Sequence, residues 1–253
     1  MELLTHEEVG ALDRERTVVV VPTAAIEQHG PHLPLDTDTF LCTSVARAGA
    51  ARAGDTLVTP TVCFGSSEHH MAFPGTVTLS QETFRETVAE VCRSLARHGF
   101  RRLLVVNGHG GNTALNAATV QQLGFETPLN IVALDYWTLA RQVVDEVRES
   151  LTGGMGHACE FETSLMLHLR PDSVRRDLVV REIVQPRYAA ESFDMFERSG
   201  VSAHWKTHEL SRSGVMGAPD LATAEKGQVL FEASAAGLAT LIEELRARPL
   251  PSA

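Results

Sequence analysis

Apolar and polar positions fall along this chain in blocks that predict strand, loop and helix in turn. Thr17 to Pro22 (TVVVVP) is an unbroken β-branched run, the pattern of a strand covered on both faces, as in a parallel sheet. The polar stretch Thr23 to Asp38 leads into a helix expected from Thr39 to about Ala53, and Thr56 to Val62 reads as a second strand. After a loop and the extended piece GTVTLS, Ser80 stands where an N-cap belongs. Phe84, Val88, Val91 and Leu95 then repeat at helical spacing until Gly99. Arg102 to Asn107 predicts a strand running into Gly108-His109-Gly110-Gly111, followed by a helix from about Asn112 to Leu123, a strand over Ile131 to Tyr136 and a helix over Thr138 to Ser150.

Beyond Gly153 and Gly154, Glu160 to Leu169 predicts a helix stopped by Pro171, and Leu178 to Ile183 alternates like another strand. Gln185 to Asp220 is long, polar and dotted with aromatics, the profile of a lid or an interface loop. The chain closes on a helix from about Thr223 to Arg246 with Leu238, Leu241, Ile242 and Leu245 on one face. This alternation predicts one three-layer α/β/α domain over residues 1–253, with a mostly parallel central sheet and ligands at the carboxyl ends of its strands.

Composition narrows the function classes. With 43% hydrophobic and 21% charged residues in 253, the chain can bury a sizeable core. Lys and Arg number 22 against 32 Asp and Glu, a formal charge of −10 that repels phosphate backbones and anionic headgroups, so neither nucleic acid nor membrane is an expected partner. The acidic first residues lack the basic and apolar regions of a signal peptide, and Cys42, Cys63, Cys92 and Cys159 show no C-x-x-C spacing. Reduced thiols and a cytoplasmic location are the expectation.

Polar clusters follow the predicted strands. In Ala25 to Asp38 (AIEQHGPHLPLDTD), extended backbone would point Glu27 and His29 to one side, offering an oxygen and a nitrogen donor to one small volume. Asp38, just before the expected helix, is either a cap or a cap that also offers an oxygen to a cation. Asn107 to Asn112 (NGHGGN) lets the backbone turn tightly around His109. A phosphate loop is the competing reading there, but Thr113 stands at the third glycine position of the dinucleotide fingerprint and no Lys follows. In Gly156 to Thr163 (GHACEFET), Glu160 and Glu162 lie about 200° apart on a helix, so only one can face a site that His157 adjoins. No G-x-S-x-G occurs, which leaves a covalent serine nucleophile without support.

EQHGPHLPLDTD, HMAFPGT, NGHGGN, DYW and HACEFETS, in this order, resemble the creatininase (creatinine amidohydrolase) family from Thr17 to Leu169. The resemblance implies a three-layer α/β/α fold, a homo-oligomer (often a hexamer) and two divalent metals that hydrolyse a non-peptide or unusual amide C–N bond. By this resemblance Glu27 and His109 bind one metal, His29 binds the other, and Asp38 bridges them. The remaining carboxylate of creatinine-hydrolysing members stands two residues after the histidine of the NGH motif, where this chain has Gly111. Glu160 is the expected replacement, as ligand and part of the catalytic set. His157 matches the catalytic histidine and Trp137, beside Tyr136, the tryptophan that packs over substrate. His70 and Glu68 are expected to line the pocket, and Gln28 and His32 to orient ligands. The gating tryptophan of creatinine-hydrolysing members has no counterpart in Leu151 to Gly156.

Two divalent cations, three carboxylates and a bridging hydroxide sum to zero charge, a reasonable state for a buried centre. The expected activity is attack of that hydroxide on a small cyclic amide, a formamide or a modified peptide, with His157 protonating the leaving nitrogen. Oxygen and imidazole donors suit Zn²⁺, Mn²⁺ or Fe²⁺. A nucleotide-binding α/β protein using the GHGGN turn, and an inactive metal-holding scaffold, are the alternatives.

Overall fold

A computed structural model describes residues 1–251. After a short helix α1 (His6–Gly10), the β-branched run forms β1 (Val18–Thr23), and every one of its residues is buried. It pairs in parallel with β2 (Thr56–Val58) on one side and β3 (Arg102–Asn107) on the other, and β3 pairs in parallel with β4 (Asn130–Asp135). The order β2-β1-β3-β4 puts the two most apolar strands at the centre. Central parallel strands need helices on both faces, which is why their sequences are apolar throughout rather than alternating.

The period of two along β1 and β3 divides the core. Val18, Val20, Leu104 and Val106 pack towards α2 (Thr37–Ala53), α6 (Glu160–Leu169) and α8 (Ala224–Ala247). Val19, Val21, Leu103 and Val105 pack on the other face against α3 (Gln81–Arg97) and α4 (Thr113–Glu126). The result is the expected three-layer α/β/α fold. Helix starts follow their caps: Ser80 and Thr223 each accept a hydrogen bond from the backbone N–H three residues on. Among the described residues no helix is long and apolar enough to cross a membrane.

Several boundaries differ from the sequence expectation. The helix expected over Thr138 to Ser150 is a 3-10 segment, Tyr136–Ala140, followed by the shorter α5 (Arg141–Val147). The strand expected over Leu178 to Ile183 does not form. Its apolar alternation serves a 3-10 turn, Arg176–Leu178, and a single bridge from Glu182 to Gly217. A strand absent from the expectation, β5 (Met155–His157), pairs antiparallel with β6 (Met216–Gly217) outside the main sheet. The long polar segment carries only turns and bends from 185 to 206, then α7 (Thr207–Leu210).

Candidate metal centre

The loop leaving β1 is closed on itself by the Glu27 N–H, which donates to the Leu35 carbonyl at 3.0 Å. It buries Glu27 and His29 completely. Asp38 is not the helix cap: α2 starts at Thr37, and Asp36 at the cap position pairs with Arg170 instead. Released from capping, Asp38 divides its oxygens. Oδ1 lies 2.9 Å from His29 Nε2, and Oδ2 lies 3.3 Å from His109 Nδ1, which is itself 3.2 Å from Glu27 Oε1. Two donor groups thus meet at one carboxylate. Ligand atoms of Glu27, Asp38 and His109 all lie within 4.8 Å of one another, and so do those of His29, His157 and Glu162.

His109 leaves the end of β3, where Asn107 donates to its carbonyl at 2.7 Å and to Asp135 Oδ1 at 2.7 Å. His109 Nε2 sits 3.0 Å from the Ser66 carbonyl, an acceptor that assigns a proton to Nε2 and turns Nδ1 towards the acids. His29 is oriented likewise, with Nδ1 3.2 Å from the Glu27 carbonyl and Nε2 towards Asp38. Gly111 lies at the position where creatinine-hydrolysing members carry a carboxylate. A Cβ there would meet the Ser66 carbonyl at 2.3 Å and His109 Nε2 at 2.4 Å, so no side chain fits.

The carboxylate that α6 brings to the cluster is that of Glu162 and not, as expected from the sequence, that of Glu160. Ala158, with φ +49°, turns the chain between β5 and α6 so that His157 and Glu162 reach the same volume. Glu162 Oε1 is 3.7 Å from His29 Nε2. Glu160 faces the other way: Oε1 accepts from Lys226 Nζ at 2.6 Å and from the Glu149 N–H at 3.0 Å, and Oε2 accepts from the Ser150 N–H at 3.0 Å. These bonds satisfy Glu160, and it takes no part in the cluster. His157 Nε2 is 2.8 Å from the Gln28 carbonyl and 2.9 Å from the Gln28 side-chain nitrogen, and Nδ1 is 3.7 Å from Glu27 Oε1. His70 joins from the segment before α3, with Nε2 3.3 Å from Glu27 Oε1 and Nδ1 2.9 Å from both Gln28 Nε2 and Thr207 Oγ1.

The electrostatics show how this much buried acid is tolerated. Burial alone would raise the Glu27 carboxyl, yet the rings of His109 and His70 hold it well below the usual range. Burial likewise pushes His29 and His109 down, but Asp38 and Glu162 pull His29 well above its ordinary value. Glu27 and Asp38 pull His109 up to about 10. In the protein alone, the two imidazolium charges of His29 and His109 therefore offset part of the charge of the three carboxylates. Among the described residues, Glu27 Oε1, Glu27 Oε2 and Asp38 Oδ2 are buried with no hydrogen-bond partner. Unpartnered anionic oxygens beside imidazole nitrogens are the donor set that a divalent cation satisfies, so these residues fit the metals implied by the sequence.

The cluster opens into a cavity of about 850 Å³. Trp137, His70 and Glu68 line it, and so do His157 and Glu162. Tyr136 does not. It is 2% exposed and packs in the core against Phe161, because the 3-10 turn that presents Trp137 directs its neighbour inward. Much of the remaining wall comes from the segment 191–206, including Phe193, His204 and Trp205. Sequence reasoning assigned no site role to His69, whose ring stacks on His109 at 5.6 Å between centroids. Its place beside His70 in a polar loop was the only signal. The carboxylates beside the GHGGN turn make it a poor phosphate cradle.

Comparison with known proteins gives the family. The profile of the family described as "Creatininase: Creatinine amidohydrolase" matches residues 2–242. A mycofactocin precursor peptide peptidase from Mycolicibacterium smegmatis is 35% identical over 231 residues, covering 89% of this chain and 84% of that protein. A creatinine amidohydrolase from Pseudomonas putida is 32% identical over 243 residues, covering 90% and 89%. A solved mutant creatininase of Zn-Zn type superposes with a TM-score of 0.82 at 30% identity, covering 98% of each chain. The chain therefore belongs to the creatininase family and is a hydrolase of amide bonds.

Proposed function

We propose that this protein is a two-metal amidohydrolase that cleaves an amide C–N bond in a modified peptide. The observation that carries the two-metal reading is the division of Asp38 between His29 and His109, which makes one carboxylate common to two donor groups. Glu27 and His109 would hold one cation, His29 and Glu162 the other, with Asp38 shared. Glu27, Asp38 and Glu162 supply three negative charges to the centre. Divalent cations in such a centre supply Lewis acidity to a carbonyl oxygen and lower the pKa of water, and zinc or manganese suits the donors.

The chain's own groups handle the proton. With the His157 proton assigned to Nε2, which faces the Gln28 carbonyl, Nδ1, on the side of Glu27, is the atom free to accept one. Burial and the neighbouring His29 lower the His157 pKa, which keeps the ring neutral and able to act as a base. Nδ1 takes a proton from the attacking water and delivers it to the leaving nitrogen as the C–N bond breaks. The cavity of about 850 Å³ is large for a single small cyclic amide and suits a peptide segment. The 35% identity to a peptidase acting on a precursor peptide supports the same choice over a small cyclic amide or a formamide. Homo-oligomeric assembly belongs to this reading on family grounds.

The test is metal content per chain after chelator treatment and reconstitution with Zn²⁺ or Mn²⁺, followed by hydrolysis assays on peptides, formamides and creatinine. About two metals per chain with peptide cleavage is the expected result. Absence of bound metal after reconstitution overturns the reading, and cleavage confined to creatinine overturns the substrate.

A further inference from the structure

Three rings in the cavity wall have no part in the chemistry described above. His69 stacks on His109 with centroids 5.6 Å apart and planes 11° from parallel. Trp205 meets the His69 ring edge-on at 5.0 Å and 85°, and Phe193 meets Trp205 edge-on at 5.7 Å and 77°. All three line the cavity, and all three are only half-buried. Aromatic surface left open to water beside a reactive centre is costly unless something covers it, and rings gain most from another ring at stacked or edge-to-face distance.

The wall is also held in place. Asp194, beside Phe193, is buried and pairs with Arg148, and it accepts from the Gly153 N–H at 2.7 Å and the Phe196 N–H at 3.2 Å. The Met195 N–H donates to the Met155 carbonyl at 2.8 Å, two residues from His157. At the other end, Thr207, two residues past Trp205, is bonded to His70 Nδ1 at 2.9 Å. A loop with few regular hydrogen bonds of its own is therefore tied to the metal centre at both ends, so its rings are preorganised for a ligand.

We infer that His69, Phe193 and Trp205 form a subsite for an aromatic side chain of the substrate, with Trp205 as its specificity-determining residue. Trp205 stands two ring contacts from the metal-facing His109, so the ring it receives belongs to a residue flanking the scissile bond. This rests on the hydrolase reading, whose substrate class it narrows to peptides with a ring next to the cleaved amide.

The experiment compares three hydroxamic acids carrying methyl, cyclohexylmethyl or benzyl groups, titrated by calorimetry into zinc-loaded wild type, Trp205→Leu and Trp205→Phe. Wild type is expected to bind the benzyl compound roughly three- to tenfold more tightly than the cyclohexylmethyl one, as an added aromatic contact implies. Trp205→Leu should remove that preference while leaving the methyl compound unaffected, and Trp205→Phe should restore most of it. Equal binding of the two larger compounds by wild type, or a preference that survives Trp205→Leu, overturns the subsite. Metal analysis of the same samples reads the hydrolase proposal separately. If no metal is bound, ligand-observed NMR with p-cresol against 4-methylcyclohexanol makes the comparison on metal-free protein: binding of p-cresol alone, lost in Trp205→Leu, supports the subsite, and any other pattern overturns it.

Discussion

Glu160 and Glu162 stand two residues apart on one helix and serve opposite ends of the structure. Glu162 reaches His29 at 3.7 Å, whereas Glu160 is bonded to Lys226 at 2.6 Å and to the backbone of residues 149 and 150. The two exchanges to glutamine should therefore separate. Glu162→Gln is expected to lower metal content from about two towards one per chain with little loss of stability. Glu160→Gln is expected to keep the metals and lose about 1–3 kcal/mol, since Lys226 and two N–H donors lose a charged acceptor. Metal analysis and urea unfolding on both variants check this, and a Glu160→Gln protein short of metal would contradict it.

Asp38 reaches both His29 and His109, so its loss should not be confined to one metal. Asp38→Ala is expected to bring metal content below one per chain and to abolish turnover. Retention of a full single equivalent would show that the two sites are independent.

Gly111 stands where the structure leaves no room for a side chain. Gly111→Ala places a Cβ 2.3 Å from the Ser66 carbonyl and 2.4 Å from His109 Nε2, with backbone on one side and the His109 ring on the other. A destabilisation of about 1–3 kcal/mol is expected, as for overpacking in a tight site, together with weaker metal binding through displacement of His109. Thermal unfolding with and without added Zn²⁺ reads both effects.

The metal-free protein should have a distinctive pH profile. His29 and His109 have raised pKa values in the fold, His109 from 6.5 to about 10. A group of this kind contributes stability fully below its unfolded value and loses it as pH rises through the folded one. Chelator-treated protein should therefore become less stable between pH 6.5 and about 10. Metal-loaded protein should lack this decline, because cations then replace the two protons. Metal uptake near neutral pH should also release protons, measurable by calorimetry in buffers of different ionisation enthalpy.

In the proposed reaction His157 moves a proton and does not hold the centre together. His157→Gln is expected to reduce kcat by about 10² to 10⁴, the usual contribution of a general acid or base, with metal content nearly unchanged. Loss of metal in step with activity would reassign it as a ligand.

The chain alone determined the layered fold, because an unbroken run such as Thr17 to Pro22 is stable only as a central parallel strand, and the caps at Ser80 and Thr223 are local. It also carried Glu27, His29, Asp38, His109 and His157, whose motifs sit at strand ends where the polypeptide must turn. Local pattern could not choose between Glu160 and Glu162. Helical geometry says that they diverge, and only the arrival of Lys226 from α8, 66 residues away, decides which one turns from the site. Tyr136 went to the core for the same kind of reason, since the 3-10 turn before α5 is fixed by packing and not by its own sequence. The wall carrying Phe193 and Trp205 has no periodicity to read, and its place was decided by bonds from Asp194 to Arg148 and from Thr207 to His70. Those are contacts between distant segments, which a one-dimensional pattern does not contain.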